Sequence, residues 1–376
     1  MTESYSFGMR CAAWAGWIAL MVVVSRPGVA TAQAIEWDAP APFEPRAYVV
    51  YRTPAAVAVD GQLHDAAWQH APWTAPFVDA RGGDRPAPRL RTRAKLLWDD
   101  EALYVAAELE EPDVWATFTE RESPIYRDNA FEVFIDPDGD THNYYEFEIN
   151  ALETVWDLLM IKPYRDGGPA LSAWDIRGLE AAVHVNGTLN DPTDTDDGWT
   201  VELALPWTIL EEAAPNGEPP SAGARWRFNL ARAQWPTTVV DGRYQKKPDP
   251  ATGEPRAEWW LWSPHGVVDM HQPERYGVVQ FADAPAGSAS ELLQDDPNAP
   301  VRWALRRLYY RQQQYHAVHG HYASSLAALD ASDITLDGRA FEPTLRTTQS
   351  LYEITAPGEA GSTVHIRHDG KVWTSP

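Results

Sequence analysis

The stretch YRDNAFEVFIDPDGDTHNYYEFEIN, Tyr126 to Asn150, decides the fold of this 376-residue chain. Two runs of alternating apolar and polar residues, 131–135 and 144–150, flank a Pro-Asp-Gly turn. Alternation of this kind is typical of strands with one buried face, and a turn between two such runs predicts a β-hairpin.

The hairpin carries an unusual number of acids on its polar side. Side chains alternate across a strand, so pairing the apolar faces of the two runs fixes their register. That register gathers Glu132, Glu146, Glu148 and Asn150 on the opposite surface. Because like charges side by side destabilise a sheet, these acids need a cation, a hydrogen-bonding ligand or open water. Two interpretations stay open: a ligand-binding wall and a solvated outer face.

Short strands divided by turn residues continue from Arg46 to Ala282. A second hairpin is predicted from residues 92–98 and 102–109, and brief helices only near 64–69 and 207–210. Further strands are predicted over 155–161, 182–185, 199–205, 225–231 and 276–281. So many strands without repeated helices favour two packed antiparallel sheets. We therefore predict an all-β fold, an antiparallel β-sandwich over residues 46–282.

The composition changes after the predicted sandwich. Residues 283–300 are rich in Ala, Gly, Ser, Asp and Pro, which indicates a linker. Apolar residues then recur at helical spacing from Val301, and Gly320 is well placed to end that helix. A short helical stretch at 325–329 and strands at 351–355 and 363–366 complete a small α+β region, residues 301–376. No motif assigns a partner to it.

The first 34 residues are typical of a secretory signal peptide. Arg10 precedes an apolar run from Cys11 to Val24, and Ala32-Gln33-Ala34 suits cleavage near Ala34. The apolar run is shorter than the ~20 residues that a membrane helix needs, although a single-pass anchor is the alternative. We expect a secreted or periplasmic protein with no membrane segment in its mature chain. The one cysteine, Cys11, falls in the signal, so the mature chain would lack disulfides.

The chain is strongly acidic, with 54 acidic and 31 basic residues and a formal charge of −23. Such a surface repels nucleic acid and anionic membranes, and it favours cations or neutral ligands. We therefore expect no nucleic-acid partner. The 18 tryptophans can serve the core or offer flat surfaces on which sugar rings stack, and composition does not separate the two uses.

A calcium site is an open question in the hairpin loop. Asp136, Asp138 and Asp140 alternate there as calcium ligands do. An EF-hand is excluded, because Thr141 and Phe147 stand where that motif needs Gly and Glu. A looser oxygen cage remains open. The tight Asp-Pro-Asp-Gly turn explains two of the acids without a metal.

The acids also raise the question of catalysis. A glycosidase uses two carboxyl groups ~5 to 10 Å apart, and Glu132 with a neighbouring carboxylate is compatible with that distance. The chain has no Gly-x-Ser-x-Gly elbow, no His-Glu-x-x-His motif and no Gly-rich phosphate loop. We predict no catalytic residue and a non-catalytic role, and keep hydrolysis through Glu132 as the alternative.

Seven segments, taken in order, form a recognisable series: AVDGQLHDAAW (58–68), LLWDDEALYVAAELEEPD (96–113), YRDNAFEVFIDPDGD (126–140), YYEFEINA (144–151), GWTVELALPW (198–207), RFNLARAQW (227–235) and WSPHGVVDMHQPERYGVVQF (262–281). This series resembles the carbohydrate-binding family 9 module of xylanases and its free-standing relatives. The resemblance implies a β-sandwich that binds carbohydrate, while a separate domain performs hydrolysis in polysaccharide catabolism.

The resemblance also implies site residues. In that family a sugar lies between two aromatic rings, and Glu, Arg and Asn bond its hydroxyls. The first ring corresponds to Tyr126, the Glu to Glu132 and the Asn to Asn150. The second ring falls at or beside Met270, and the Arg position is occupied by Glu148. These two departures change how a sugar would be held.

Other residues could complete such a site. His271, Trp262 or Trp235 could replace the missing ring, with core packing as the alternative for each. Arg232 could bond hydroxyls, or form an internal salt bridge. A different class, the haem-binding sandwiches, is also open, because Met270 with His271 or His265 would supply axial ligands.

Overall fold

The computed structural model describes residues 44–83, 85–288, 291–336 and 339–376, all within one compact unit, Trp37–Pro376. The predicted signal segment, residues 1–34, lies outside the described residues. The strands are β1 (Ala47–Arg52), β2 (Val78–Asp79), β3 (Thr92–Trp98), β4 (Ala102–Glu110), β5 (Ala130–Asp136), β6 (Tyr144–Asn150), β7 (Val155–Met160), β8 (Ala170–Leu171), β9 (Glu180–Asn186), β10 (Gly198–Pro206), β11 (Arg225–Gln234), β12 (Thr237–Val240), β13 (Arg243–Lys246), β14 (Glu258–Leu261), β15 (Gly277–Pro285), β16 (Thr335–Leu336), β17 (Arg339–Ala340), β18 (Thr344–Thr347), β19 (Tyr352–Pro357), β20 (Thr363–Arg367) and β21 (Val372–Ser375). The helices are α1 (Ala66–His70), α2 (Trp207–Leu210) and α3 (Ala299–His319).

One large sheet, in the order β8-β7-β6-β5-β11-β15-β1-β3-β4-β10-β9, forms the first part of the molecule. Its strands pair antiparallel except for β1, which runs parallel to both β15 and β3. The halves on either side of β1 pack face to face. Phe131 and Phe147 from one half share a single core with Leu96, Val105 and Trp199 from the other. The predicted all-β sandwich is confirmed, with the parallel strand β1 joining its two sheets.

The β5–β6 hairpin has the register that its alternation predicts. Val133 lies opposite Phe147, and Ile135 lies opposite Tyr145. These side chains are buried in the core between the sheets. Because each such side chain contributes about 1.5 to 3 kcal/mol when fully buried, a slip by one residue would expose the whole apolar set. The acids are thereby held on the other face.

The C-terminal part is a small α+β structure. Helix α3 ends at Gly320, whose φ of 73° is the left-handed conformation that glycine adopts without a Cβ clash. Leu305 and Leu308 of this helix pack in one core with Ile354 and Ile366 of the four-stranded antiparallel sheet β18-β19-β20-β21. The described part of the chain has no helix that is long and apolar enough to cross a membrane.

The C-terminal part contacts the sandwich at the turn of the β5–β6 hairpin. The backbone N–H of Val372 donates to the carbonyl of Asp140 at 3.1 Å. Thr141 Oγ1 donates to the carbonyl of Gly370 at 3.0 Å. Strand β15 runs on to Pro285, so the segment between the sandwich and α3 is partly strand.

Candidate functional site

Three glutamates lie together on the outer face of the β5–β6 hairpin. Glu132 is paired with Glu148 across the two strands, and Glu146 lies one pair further along on the same face. The carboxylate oxygens of the three residues lie within 4.8 Å of one another. All three are buried, with 1%, 4% and 2% of Glu132, Glu146 and Glu148 exposed. We call these residues the glutamate cluster.

The glutamate cluster is only partly satisfied by hydrogen bonds. The backbone N–H of Tyr126 donates to Glu148 Oε2 at 2.6 Å. Glu132 Oε1 and Glu146 Oε2 are buried and have no hydrogen-bond partner within the described residues. A buried polar group without a partner costs about 1 to 3 kcal/mol, and more when it is charged. The two free oxygens therefore favour a ligand.

Burial changes the acidity of the cluster. Loss of solvation, followed by the charge of Glu146, holds the pKa of Glu132 well above its ordinary value. Burial, followed by the charges of Glu132 and Glu146, does the same to the pKa of Glu148. Burial also raises the pKa of Glu146, although the nearby His271 opposes this. In the ligand-free protein the cluster therefore holds protons at a pH where an exposed glutamate is ionised.

Aromatic rings border the cluster on one side. Trp156 of β7 lies directly opposite Glu148 of β6. The rings of Tyr126 and Trp156 are stacked, with centroids 6.0 Å apart and planes 26° from parallel. Both side chains are half-buried, as is Trp259 of β14, which packs against the same apolar clusters as Trp156. We call Tyr126, Trp156 and Trp259 the first aromatic border.

A second group beside the cluster consists of Met270, His271 and Tyr164, which we call the second border. Met270 is 8% exposed and packs in an apolar cluster with Phe134. His271 Nδ1 is 3.0 Å from the hydroxyl of Tyr144, and His271 Nε2 is 4.0 Å from Glu146 Oε2. The ring of Tyr164 stands edge-on to that of His271 at 4.5 Å, and 53% of Tyr164 is exposed. An aromatic side chain thus stands beside Met270 on this border.

Asn150 lies on the same face as the glutamate cluster but is occupied by local structure. Its Nδ2 donates to the carbonyl of Phe118 at 2.9 Å and to Asp128 Oδ2 at 3.1 Å. Its Oδ1 accepts hydrogen bonds from the backbone N–H groups of Leu152 and Thr154. The side chain closes the turn between β6 and β7.

Arg232 lies on the other face of the sheet. Ala231 is the residue of β11 opposite Glu132, whereas Arg232 is opposite Phe131. The fully buried guanidinium pairs with Glu111 at 2.8 Å. It also donates to Thr92 Oγ1 and to the carbonyl of Glu110. The structure brings Arg232 into an internal salt bridge and away from the glutamate cluster.

The two further candidate tryptophans occupy different places. Trp262 is 1% exposed and belongs to the core between the sheets. Trp235 is half-buried, and its indole N–H donates to the carbonyl of Tyr126 at 2.9 Å. The ammonium of Lys246 lies 3.8 Å from the centre of a Trp235 ring. Trp235 therefore binds the backbone of Tyr126, a member of the first aromatic border.

The loop acids Asp136, Asp138 and Asp140 form a second group, with oxygens within 4.8 Å of one another. Backbone N–H groups already donate to each of the three carboxylates. The ammonium of Lys371, from the C-terminal part, pairs with Asp140. A cation is thus already supplied by the chain itself. Calcium binding stays a prediction, and these contacts weigh against it.

His265 is placed unlike an axial ligand. It is 1% exposed, and its Nδ1 and Nε2 lie within hydrogen-bond distance of the carbonyl of Asp269 and of Asn229 Nδ2. Burial lowers the pKa of this imidazole to about 4. Both ring nitrogens are therefore engaged within the protein.

Sequence reasoning missed Trp156, Trp259 and Tyr164 as site residues. Trp156 lies on the same face of β7 as Leu158 and Met160. Once β7 is paired with β6, this face is the one that carries the glutamate cluster. Trp259 lies on β14, a strand that was not predicted. Tyr164 lies in the turn between β7 and β8, and no local pattern points to its position.

Comparison with known proteins places these features in a family. Residues 59–219 match the model "Carbohydrate family 9 binding domain-like". Exoglucanase XynX of Acetivibrio thermocellus is 25% identical over 166 residues, 44% of this chain. Endo-1,4-beta-xylanase A of Thermoanaerobacterium saccharolyticum is 27% identical over 118 residues, 31% of this chain. The matches span only 12% and 8% of these two relatives.

Solved structures are also similar to this chain. A carbohydrate binding module family 9 from Caldicellulosiruptor kristjanssonii, in complex with cellotriose, is 16% identical with a TM-score of 0.39, covering 65% of this chain and 99% of the module. A putative carbohydrate-binding protein from Bacteroides uniformis is 15% identical with a TM-score of 0.45, covering 63% and 100%. The resemblance stated from the sequence is confirmed by the family model: residues 59–219 of this protein are similar to the carbohydrate family 9 binding domain-like family.

Proposed function

We propose that this protein is an exported, non-catalytic carbohydrate-binding protein that recognises a poly- or oligosaccharide at the glutamate cluster. The observation that carries the proposal is a buried group of carboxyl groups with free oxygens, lying between two borders that contain aromatic rings, in a chain matching a carbohydrate-binding family. Aromatic faces suit the apolar faces of sugar rings, and carboxyl oxygens accept hydrogen bonds from hydroxyls.

The two departures from the family pattern affect what such a site can hold. Met270 takes the place of a ring, but His271 and Tyr164 stand next to it and supply aromatic surface. Glu148 takes the place of an arginine, so the site gains an acceptor where the pattern has a cation. The proposal therefore predicts recognition through donors on the ligand.

A glycan array tests the proposal, followed by titration calorimetry with cello- and xylo-oligosaccharides. We expect binding that Tyr126→Ala weakens by about tenfold, because a stacked aromatic contact is worth about 0.5 to 1.5 kcal/mol beyond its buried area. Trp373→Ala is the matched control, since this ring is stacked on His365 in the C-terminal sheet. Absence of any saccharide binding by the native protein would refute the proposal, and equal loss in both variants would refute the site.

Export is the second part of the proposal. It is supported by the signal-like pattern of residues 1–34. Sequencing the N-terminus of protein recovered from a cell envelope or medium fraction should find a chain that begins after Ala34. An intact N-terminus in the cell interior would contradict it.

Hydrolysis is the competing function, because the carboxyl oxygens of Glu132 and its neighbours are close enough for a glycosidase pair. Such a pair needs one ionised and one protonated carboxyl group, whereas burial raises the pKa of every member of this cluster. Release of reducing sugars from xylan or cellulose, lost in Glu132→Gln, would establish hydrolysis. We expect none.

Haem binding through Met270 has a simple test as well. The purified protein should show no Soret band after incubation with haem, because Met270 is packed in an apolar cluster and both nitrogens of His265 are engaged.

A further inference from the structure

The glutamate cluster lies in a protein interior without a matching cation. Within the described residues, no Lys or Arg forms an ion pair with Glu132, Glu146 or Glu148, and the nearest basic group is His271, 4.0 Å from Glu146. Other buried acids in this chain do have such partners: Glu111 pairs with Arg232, and Glu274 with Arg165. A buried carboxylate is normally paired or fully hydrogen-bonded, as Glu202 is by the indole of Trp68 and two backbone N–H groups. In the glutamate cluster, Glu132 Oε1 and Glu146 Oε2 have neither kind of partner.

The spacing of the cluster fits a positively charged nitrogen. Three oxygens within 4.8 Å of one another have a common point no more than about 2.8 Å from each. Charge-assisted N–H···O bonds have lengths of about 2.7 to 2.9 Å. A primary ammonium has three N–H donors, one for each glutamate. Neutral hydroxyls bring fewer donors and no charge to this point.

The surroundings of the cluster fit a ring that carries such a group. Tyr126, Trp156 and Tyr164 present half-buried or exposed aromatic surface near the carboxyls. A sugar ring stacked on this surface would lie near the glutamate cluster. The formal charge of −23 adds a general attraction for cationic ligands.

We propose that the site selects a carbohydrate bearing a primary amine, of the glucosamine type, whose ammonium lies between Glu132, Glu146 and Glu148. This inference rests on the proposed function and adds the chemical class of the ligand. The rival occupant is a divalent metal ion. Calcium takes six to eight oxygen ligands, and the three glutamates by themselves supply this number only if each is bidentate.

Binding also has a consequence for protons. Because burial raises the pKa of all three carboxyls, an ammonium that pairs with them must displace protons from the cluster. The other titratable groups near it are His271, Tyr144, Tyr276, Tyr164 and Tyr126. Binding of an amino sugar should therefore release protons, whereas binding of a neutral sugar of the same length should not.

The test is titration calorimetry of the full mature chain with three trisaccharides: the glucosamine trimer, its N-acetylated form and cellotriose. We expect the glucosamine trimer to bind at least about tenfold more tightly than the other two, as a charge-assisted group of hydrogen bonds requires. Glu132→Gln and Glu146→Gln should each remove most of that preference. Glu218→Gln, an exposed change of the same charge, is the control for general electrostatic attraction.

Each outcome of the titrations supports or overturns the amine proposal. Repeating the glucosamine titration in two buffers of different ionisation enthalpy measures proton release by the native protein, so the proposal can be tested even where a variant fails to fold. Equal affinity for all three trimers overturns the amine inference and leaves the proposed function intact. No binding of any trimer or glycan overturns both. Calcium binding that depends on Glu132, with no amine preference, overturns it in favour of a metal site.

Discussion

Glu132 links the stability of the protein to pH through a single buried carboxyl. Its pKa is held well above the ordinary value of 4.5 by burial and by the charge of Glu146. At pH values between 4.5 and the raised pKa, Glu132 keeps its proton in the folded protein and has lost it in the unfolded chain. The free energy of unfolding therefore falls as pH rises through this window, by up to ~1.4 kcal/mol per pH unit for one proton.

Glu132→Gln should remove part of this penalty. We expect the variant to gain thermal stability over the native protein as pH increases from 5 to 8, and to lose that advantage near the pH where exposed glutamates are protonated. Melting temperatures of both proteins across this range are the measurement. Glu218→Gln serves as the control, because an exposed side chain should give a constant difference. A constant difference for Glu132→Gln would contradict the raised pKa.

Lys371 is the counter-charge of the hairpin loop. Burial, followed by the charges of Asp138 and Asp140, raises the pKa of Asp136, and the pKa of Asp138 is raised to about 6. The Lys371 ammonium, paired with Asp140, offsets part of this repulsion. It also lies where an added metal ion would compete for the same oxygen.

Replacing Lys371 should expose the loop acids to calcium. We expect Lys371→Gln to be stabilised by added calcium more than the native protein is, because a ligand that binds only the folded state stabilises it more as its affinity increases. Thermal melts with calcium and with a chelator measure the difference. Lys247→Gln, an exposed change, is the matched control. An equal calcium effect in all three proteins would show that Lys371 does not compete.

At the scale of elements, α3 braces the second border of the site. Arg165, in the turn that carries Tyr164, pairs with Glu274 at 2.7 Å and donates to the carbonyl of His271 at 3.3 Å. The hydroxyl of Tyr310 on α3 donates to Glu274. Burial alone would raise the pKa of Glu274, but Arg165 and other nearby arginines outweigh it and lower the pKa. The two loops of the second border are thus joined through one buried ion pair.

Arg165→Met should loosen both loops. Removing one member of a buried pair leaves the other uncompensated, which costs about 3 to 5 kcal/mol in the free energy of unfolding. Urea denaturation measures this cost, and saccharide affinity should fall in the same variant. Arg177→Met, an exposed arginine of the segment after β8, is the control. A change of less than about 0.5 kcal/mol, the range of ordinary surface substitutions, would contradict the bracing role.

The β5–β6 hairpin was predictable because the pattern that specifies it lies within one short stretch of sequence. Alternation fixed β5 and β6 almost to the residue and placed Glu132, Glu146 and Glu148 on one face. The face on which Arg232 lies could not be predicted from local sequence, because it depends on the pairing of β11 with β5, which puts Ala231 opposite Glu132. Burial of the glutamates was equally hidden, since the alternation of one hairpin does not show what covers its polar face.

At the scale of the whole molecule, the sandwich and the C-terminal part share buried charges. Glu274 and Tyr310 belong to different parts of the chain, as do Asp140 and Lys371. Backbone hydrogen bonds also cross the boundary, from Val372 to Asp140. Separating the two parts would break these contacts.

We therefore expect the full mature chain to unfold in one cooperative calorimetric transition. The ratio of calorimetric to van't Hoff enthalpy should be close to one, as for a two-state unit. Two resolved transitions would show that the C-terminal part is an independent domain. Repeating the scan with Lys371→Gln tests the coupling, because removing an ion pair that crosses the boundary should separate the transitions or broaden the peak.

The sequence predicted the class of the molecule better than its connections. Many short strands with few helices sufficed for a β-sandwich, and helical spacing with Gly320 sufficed for α3. Strand β1 was not predicted, nor was its parallel pairing, because a strand that joins two sheets has no distinctive local pattern. The docking of Lys371 on the hairpin turn depends on residues over 200 positions apart.

The place of β1 between two sheets governs the order in which the chain can assemble. Ala47 pairs with Val278, 231 positions later, so β1 cannot find that neighbour until nearly the whole sandwich has been synthesised. The entropy of closing so long a loop opposes the contact, and folding dominated by distant pairs is slow. Until β15 arrives, one edge of β1 is unpaired and open to strands of other chains. The first strand to be made is therefore among the last to be completed, and yield on refolding should depend on protein concentration.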